Sequence, residues 1–217
     1  MKIAVAGKAG SGKTSVANIL VEAYGFERHS LAARLKQLCE LHEQDDVDLL
    51  PEFLEIINPL SNSCGQDDLD ALVSRVKAAF SHHEPVEGKN RGLLQEMGTD
   101  VFRAFDHEVW IAYLVEHVRM RGTAYNYVVD DVRFVNEVEG LHDAGWFTVY
   151  CHVPEATRLA RLPGGMTEEQ QSHPSEAELS SIPIDSWDMV LDTAVPMHLQ
   201  ALGVHWMYNV VSEAQGG

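Results

Sequence analysis

At 217 residues, the chain is long enough for one α/β domain with a full hydrophobic core and a small insertion. Its formal charge of −17 argues against a nucleic-acid backbone or an anionic membrane surface as the main partner, because both are negatively charged themselves. Three cysteines far apart in sequence argue against a disulfide framework or a zinc site, and a short strand directly after Met1 argues against a secretory signal. We expect a cytoplasmic protein without a membrane span.

Short apolar runs alternate with stretches of helical spacing along the whole chain. Ile3 to Ala6 is predicted to be a strand buried on both faces, because it is apolar throughout and ends at a glycine. The next helix has apolar residues at helical spacing from Val16 to Ala23 and is predicted to stop at Tyr24-Gly25. Further strands are predicted at 27–30, 127–129, 147–153 and 189–191. Further helices are predicted at 31–41, 69–80, 93–105, 107–120, 136–144, 156–162 and 196–213.

This order of elements predicts an α/β fold with a parallel sheet of roughly five strands between two layers of helices. The whole chain, 1–217, is predicted to be one domain with its core formed by 1–41 and 93–217. Residues from about 42 to 92 contain acidic runs and are predicted to form a helical insertion that caps the sheet. A short loop at about 163–175 lies where a lid is expected.

The first strand leads into Gly7-Lys8-Ala9-Gly10-Ser11-Gly12-Lys13-Thr14, which matches the P-loop pattern G-x-x-x-x-G-K-[ST] at each fixed position. Glycines allow successive backbone N–H groups to point at phosphate oxygens, and the next helix presents its positive end to the same anion. Lys13 is expected to reach the outer phosphates of ATP, and the Thr14 hydroxyl to ligate Mg²⁺. The loop residues predicted to hold ATP are Gly7, Ala9, Gly10, Ser11, Gly12, Lys13 and Thr14. The pattern therefore predicts a P-loop NTPase fold.

Two aspartates, Asp130 and Asp131, follow the apolar run Tyr127–Val129, at the end of a strand where open parallel sheets collect ligands. One of them is expected to hold Mg²⁺ as a Walker-B acid does, and the other to face the acceptor. Asp130 is the candidate for the metal and Asp131 for the acceptor, although the sequence leaves the two roles interchangeable. The alternative is that both simply end a strand.

Phosphoryl transfer also needs cations that neutralise the transferring group. Arg133 follows the two aspartates, and Arg158 and Arg161 lie about one helical turn apart after the 147–153 strand. For any single arginine the alternative is a surface ion pair, and Arg133 and Arg158 are the strongest candidates. Four further basic residues flank predicted helices: Arg34, Lys36, Arg91 and Arg103.

Several segments beyond the P-loop occur in a recognisable order. They are Ser30-Leu31-Ala32 with Lys36, Leu93-Leu94-Gln95-Glu96-Met97-Gly98-Thr99-Asp100 with Arg103 and Trp110, Asp131-Val132-Arg133-Phe134-Val135-Asn136-Glu137, and His173-Pro174-Ser175-Glu176. In order and spacing the chain resembles the deoxynucleoside monophosphate kinases of tailed bacteriophages, within the wider nucleoside monophosphate kinase group. The resemblance covers most of the chain.

The resemblance implies transfer of the γ-phosphoryl of ATP, with Mg²⁺, to a deoxynucleoside 5′-monophosphate for DNA synthesis, in the host cytoplasm if the chain is phage-encoded. It implies catalytic roles for Lys13, Arg133, Arg158 and Asp131, and contact of Arg161 with the nucleotide. The residues implied on the monophosphate side are Arg34, Lys36, Arg91, Gln95, Arg103, Trp110, Asp131 and Arg133. For Trp110, packing in the core is an equally good alternative to stacking on a base.

Two other functions remain open from the sequence. One keeps the fold and changes the acceptor to dephospho-coenzyme A or a nucleoside. The other is an ATP-binding regulatory protein that hydrolyses ATP slowly. The only partners expected are small-molecule substrates, with a homodimer left open, and the sequence does not indicate the base preference or the role of His173.

Overall fold

The computed structural model describes residues 1–42, 50–60, 65–83, 90–162 and 178–215. The strands are β1 (Lys2–Ala6), β2 (Glu27–His29), β3 (Tyr127–Val132), β4 (Phe147–His152) and β5 (Met189–Asp192). The α-helices are α1 (Lys13–Tyr24), α2 (Ala33–His42), α3 (Leu50–Ile57), α4 (Gln66–His82), α5 (Arg91–Gln95), α6 (Val109–Arg121), α7 (Val135–Asp143), α8 (Glu155–Ala160) and α9 (Met197–Gln215). Short 3₁₀ helices lie at Asn58–Leu60, Glu178–Ser181 and Ile184–Ser186, and Glu96–Arg103 is a π-helix.

These elements confirm the predicted strands and helices, with ends shifted by a few residues. The exception in type is the predicted helix over 93–105, most of which is wound as the π-helix. The predicted lid-like loop at 163–175, including His173, lies outside the described residues, as does the third cysteine, Cys64.

The chain divides into two compact units, each with its own interior. The first unit is Met1–Ser30 with Arg121–Gly217, and the second is Leu31–Met120. The predicted insertion at 42–92 lies inside the second unit, which also takes in α2 and residues 93–120.

The first unit is built on a five-stranded sheet in which all neighbouring strands are parallel, in the order β2-β3-β1-β4-β5. The central strand β1 places Ile3 opposite Val128 of β3 and Phe147 of β4. Because all strands run the same way, the carboxyl ends of β1, β3 and β4 meet at one edge of the sheet. The prediction of a parallel five-stranded sheet is therefore confirmed.

Both faces of β1 are buried, which explains why its sequence is apolar without alternation. Ile3 and Val5 pack in one core cluster with residues of α1 and α9, whereas Ala4 and Ala6 alternate with them and are equally inaccessible. Helix α7 contacts β1 and β4. Strand β1 thus lies inside the unit, and the loop that follows it starts from a fixed point.

The second unit is helical in its described part. Its fully buried residues come from successive helices and include Leu38, Ile56, Leu72, Leu93, Met97 and Leu114. Phe102 lies between Phe53 and Trp110, with ring centroids 6.2 and 5.2 Å away. Gly98 of the π-helix faces Leu35, whose Cδ2 would be 2.8 Å from a Cβ at that position, so α2 and the π-helix pack closely. Among the described residues, no helix is both long and apolar enough to cross a lipid bilayer.

Candidate functional site at the glycine-rich loop

The loop from Gly7 to Thr14, called the glycine-rich loop below, connects the carboxyl end of β1 to the amino end of α1. Three of its residues have positive φ: Gly7 at 148°, Gly10 at 78° and Gly12 at 91°. L-residues with a side chain rarely adopt these angles, so the sequence of the loop sets its curvature. Gly12 is the N-cap of α1, and the positive end of that helix therefore lies at the loop.

The loop is also crowded from outside. A Cβ on Gly10 would lie 2.9 Å from the Arg158 carbonyl oxygen, and a Cβ on Gly12 would lie 3.2 Å from Thr193 Cβ. The contact at Gly10 is with backbone, which cannot rotate away. Glycine is therefore required at Gly10 by close packing as well as by backbone angle.

The ammonium group of Lys13 is directed back onto the loop. Lys13 is only 8% exposed, and its Nζ donates to the carbonyl oxygens of Gly7 at 2.5 Å and Lys8 at 2.8 Å. A buried cation needs such partners, because an unpaired charge in the interior is strongly unfavourable. The loop thus encloses a positive charge at the start of a helix, an arrangement suited to an anion.

Asp130 of β3 lies beside the end of the loop. The Thr14 hydroxyl donates to Asp130 Oδ2 at 3.1 Å, and Asp130 is 6% exposed. Arg28 of β2 donates to both carboxylate oxygens, from Nε at 2.9 Å and from Nη2 at 2.6 Å. The bidentate arginine therefore places a cation directly against this buried carboxylate.

The Thr14 hydroxyl oxygen and the Asp130 carboxylate oxygen Oδ2 are of the type that Mg²⁺ prefers. They lie within hydrogen-bond distance of each other, so the residues fit a shared ion, although Arg28 already contacts both oxygens of the carboxylate. Within the described ranges, no group of three or more His, Cys, Asp and Glu side chains could hold a metal by protein ligands alone.

Asp131 and Arg133 follow at the end of β3. Asp131 accepts a 2.5 Å hydrogen bond from the Ser30 hydroxyl, which follows β2. The partly buried Arg133 has its backbone N–H held by the Glu137 carboxylate at 2.7 Å, and the same carboxylate accepts from the N–H of Phe134 at 3.1 Å. Glu137 is 3% exposed and caps α7, so the turn between β3 and α7 is fixed by a buried side chain.

Arg158 and Arg161, predicted to share one side of a helix, both reach carbonyl oxygens of the glycine-rich loop. Arg158 is 2% exposed and donates to the Ala9 oxygen at 2.8 Å, while its other nitrogens bind Glu155. This ion pair holds the pKa of the Glu155 carboxyl below its usual value. Arg161 donates to the Gly10 oxygen at 3.5 Å and the Thr193 oxygen at 2.7 Å.

A cavity of about 240 Å³ adjoins the loop at the end of β4. Its lining includes Lys8, Ser11, Tyr150, Cys151, His152 and Arg158. Ser11 is 1% exposed, and its Oγ has no hydrogen-bond partner among the described residues. Burial raises the pKa of the Cys151 thiol to about 12 and also raises the pKa of Tyr150, so both groups stay protonated at neutral pH.

The remaining predicted site residues belong to the second unit. Arg34 forms an ion pair with Glu55 and donates to the Tyr113 hydroxyl at 3.0 Å. Gln95 is exposed, and Lys36 and Arg103 are partly buried. Trp110 is 3% exposed against Phe102, which is the packing expected of a core tryptophan. Arg91 begins α5, and its side chain lies outside what the structure describes.

Two residues at the loop were not singled out from the sequence. Arg28 lies on a three-residue edge strand, and only the pairing of β2 with β3 brings it to Asp130. Thr193 follows β5, and its hydroxyl contacts the Ser11 carbonyl oxygen at 2.6 Å and the His152 carbonyl oxygen at 2.9 Å. Neither residue belongs to a local motif, so no sequence signal indicates its role.

No protein-family model matches the chain, and no curated protein shows significant similarity to it. The site must therefore be interpreted from its own geometry.

Proposed function

We propose that the chain is a P-loop phosphotransferase that moves the γ-phosphoryl of ATP to a deoxynucleoside 5′-monophosphate. The observation that carries this proposal is one glycine-rich loop that has the Lys13 ammonium folded onto its Gly7 and Lys8 carbonyl oxygens and the Thr14 hydroxyl 3.1 Å from Asp130. The five-stranded parallel sheet supports a P-loop NTPase fold of three layers, because the loop lies where such sheets bind ligands.

On the donor side, the loop supplies a curved backbone, a helix amino end and the Lys13 ammonium. The Gly7 and Lys8 carbonyl oxygens, which accept from Lys13, are weaker partners for a cation than a polyphosphate. We expect Lys13 to exchange these carbonyls for phosphate oxygens when ATP binds. Arg158 and Arg161 donate hydrogen bonds to carbonyl oxygens of the loop and so hold its backbone in place. Neutralisation of the transferring phosphoryl group by either arginine is part of the proposal.

Mg²⁺ would be held by Thr14 and, directly or through water, by Asp130. When bound, the ion offsets the charge of the outer phosphates. Because Arg28 already contacts both Asp130 oxygens, metal binding at this carboxylate requires the guanidinium to share it or move aside.

The acceptor side rests on Asp131 and Arg133, one and three residues beyond Asp130. Glu137 fixes the backbone N–H of Arg133, which holds the segment that carries both side chains. An arginine at this point would neutralise an acceptor phosphate, and a phosphate oxygen needs no strong base to act as the nucleophile at neutral pH. The choice of a deoxynucleoside monophosphate follows from the resemblance of Asp131–Glu137 and Leu93–Asp100 to the phage kinases.

The test is a coupled assay of ADP release with ATP, Mg²⁺ and each of the four deoxynucleoside monophosphates. Ribose monophosphates, dephospho-coenzyme A and nucleosides form the comparison arms. We expect at least one deoxynucleoside monophosphate to stimulate turnover strongly, and none of the other acceptors to match it. If only dephospho-coenzyme A or a nucleoside stimulated turnover, the chain would still be a kinase, but the proposed deoxynucleoside monophosphate acceptor would be wrong.

The matched variants are Lys13→Met and Lys8→Met, which remove one loop ammonium each. Lys13→Met is expected to lower turnover by about 10³-fold or more, the scale of losing a transition-state charge contact. Lys8 is a variable position of the motif, and its replacement should change turnover by less than about tenfold. Acceptor-dependent turnover that survives Lys13→Met would remove Lys13 from the proposed mechanism.

A further inference from the structure

Thr193 is a buried threonine that follows β5 and lies against the glycine-rich loop. It is 1% exposed, and its backbone N–H donates to the His152 carbonyl oxygen at 2.9 Å. Its own carbonyl oxygen accepts from Arg161 Nη2 at 2.7 Å and from Gln200 Nε2 at 3.1 Å. A Cβ added to Gly12 would lie 3.2 Å from Thr193 Cβ, so the side chain also packs on the loop. The backbone of Thr193 is therefore held at both its donor and its acceptor, which fixes the position of the side chain.

The hydroxyl of Thr193 has a single proton to donate and two carbonyl oxygens within reach. The Ser11 oxygen lies 2.6 Å away and the His152 oxygen 2.9 Å away. The His152 oxygen already accepts from the Thr193 backbone N–H. The Ser11 oxygen precedes the hydrogen bond from the Val16 N–H to the Gly12 oxygen, which closes the first turn of α1. We assign the hydroxyl proton to Ser11, because this contact is the shorter one and the other oxygen already has a donor from the same residue.

A hydrogen bond to the Ser11 carbonyl also fixes the direction of the next N–H. A trans peptide is planar, so the Ser11 C=O and the Gly12 N–H point in opposite directions within one plane. With the carbonyl directed at Thr193, the Gly12 N–H is turned to the other side of the loop backbone. Gly12 is the N-cap of α1, where N–H groups have no partner within the helix. This N–H therefore adds to the anion-binding character of the loop.

We propose that Thr193 is a positioning residue for the anion at the glycine-rich loop, and that it acts by turning the Gly12 N–H towards a bound polyphosphate. The proposal rests on the proposed function for the identity of that anion, a nucleoside triphosphate. Without the hydroxyl, the peptide between Ser11 and Gly12 is freer to rotate, because glycine restricts the backbone little. An N–H that must be reoriented when the ligand binds contributes less to affinity than one already in place.

The uncharged side chain of Thr193 separates this role from charge neutralisation. Arg158 and Arg161 also donate to loop carbonyls, those of Ala9 and Gly10, but their positive charges would act on a phosphate directly as well. Removing the Thr193 hydroxyl leaves the charge of the site unchanged. Because this hydroxyl is directed at backbone carbonyls, its effect on an anion passes through the peptide that it holds.

The test is calorimetric titration of the full chain with ATP and Mg²⁺ and, separately, with inorganic tripolyphosphate, which has neither base nor sugar. Thr193→Val removes the hydroxyl at nearly constant volume, and Thr193→Ser keeps it. We expect Thr193→Val to raise both dissociation constants about tenfold or more, the scale of one hydrogen bond to a charged group. Thr193→Ser should restore binding to within about threefold of the wild type.

Thr148→Val is the matched control. Thr148 is also 1% exposed, and its hydroxyl donates to Asp188 at 2.8 Å near the start of β4, whereas the loop lies at the other end of that strand. Thr148→Val should lose stability, because it removes a buried hydrogen bond, and should keep both dissociation constants. The control separates a general loss of stability from a loss of anion binding.

Nuclear magnetic resonance of the chain labelled with ¹⁵N at glycine gives a second measurement, which needs no variant. The Gly12 amide resonance should shift when tripolyphosphate binds the wild type, and should shift less in Thr193→Val at the same occupancy. A Gly12 amide that does not respond to the bound anion would overturn the role of Thr193 and leave the proposed function in place. Dissociation constants of Thr193→Val equal to those of Thr148→Val would do the same. A wild type that binds neither ATP nor tripolyphosphate would overturn both proposals.

Discussion

The ion pair of Arg28 with Asp130 stabilises the fold but occupies the carboxylate oxygens proposed to bind Mg²⁺. Asp130 is 6% exposed and receives two hydrogen bonds from Arg28, so a cation lies against this buried carboxylate. The same oxygens are those proposed for Mg²⁺. Arg28 therefore stabilises the fold and would compete with the proposed Mg²⁺ at one carboxylate.

Replacing Arg28 with Met should separate these two effects. The variant leaves Asp130 without its cation, and we expect the free energy of unfolding to fall by about 1–3 kcal/mol. Saturating Mg²⁺ should then raise the melting temperature more in the variant than in the wild type, because the carboxylate has lost its competitor. Urea denaturation and thermal melting with and without Mg²⁺ measure both quantities.

Arg119→Met is the matched control for this experiment, since Arg119 also binds a carboxylate through two nitrogens. Its partner, Glu116, lies one helical turn away on the surface of α6, where an exposed ion pair contributes little. A similar loss of stability in both variants would contradict the special position of Arg28.

At the scale of elements, the glycine-rich loop is shaped by contacts from distant segments as well as by its own sequence. Gly10 has the carbonyl of Arg158 against it, and Gly12 has Thr193 against it. Alanine at Gly10 should therefore displace the loop or α8 in addition to straining the backbone.

Gly10→Ala and Gly25→Ala make a matched pair. Both glycines have positive φ, 78° and 69°, but only Gly10 has an atom closer than 3.0 Å to the added Cβ, and Gly25 has none within 4 Å. Gly25→Ala should cost about 1 kcal/mol for backbone strain alone. Gly10→Ala should cost more and lower ATP affinity, measured by calorimetric titration. Equal effects on stability and unchanged ATP binding would contradict the crowding at Gly10.

In the second unit, helix α4 is linked to the π-helix by one carboxylate with two histidines. Glu96 lies 3.0 Å from His82 Nδ1 and 2.8 Å from His83 Nε2, and these hydrogen bonds lower the pKa of the Glu96 carboxyl from 4.5. Because the pKa of Glu96 is lower in the folded state than in the unfolded state, its carboxylate stabilises the fold at pH values above the unfolded-state pKa. This stabilisation is lost as the pH falls through the folded-state pKa.

Glu96→Gln should accordingly lower the melting temperature at pH 6–7, and the difference from the wild type should shrink as the pH falls below about 4.5. Thermal melts followed by circular dichroism between pH 7 and pH 3 test this expectation. Glu22→Gln, at an exposed position of α1, serves as the control, and its difference from the wild type should stay small throughout. A Glu96→Gln difference that grows on acidification would contradict the direction of the shift.

The elements and the loop could be predicted because their signals are local. The apolar run of β1, the spacing of glycines and the helix after Gly12 lie within about one helix length of each other in sequence. Arg28 and Thr193 could not be predicted, because each reaches the site only through strand pairing or a connection far along the chain. The π-helix at Glu96–Arg103 was also missed, because its residues show the same apolar spacing as an α-helix.

For the molecule as a whole, the charge of −17 should make the melting temperature depend on salt concentration. Self-repulsion destabilises a compact acidic chain, and ions screen it with a Debye length of about 10 Å at 0.1 M salt. We expect the melting temperature to rise between about 0.02 and about 0.5 M NaCl. A flat or falling melting temperature would indicate that ion pairs such as that of Arg28 with Asp130 outweigh the repulsion.

The contacts of Arg158 and Thr193 with the glycine-rich loop determine when the loop can form during synthesis of the chain. The loop is complete after fourteen residues, yet its Ala9 and Ser11 carbonyls are held by Arg158, 149 positions later, and Thr193, 182 positions later. Strand β1 also needs β3 and β4 to be present before its backbone can form the hydrogen bonds of the sheet. A ribosome must therefore release the chain beyond Thr193 before this segment can take up its final structure, so the nucleotide proposed to bind here should bind chains that include Thr193 and not shorter nascent ones.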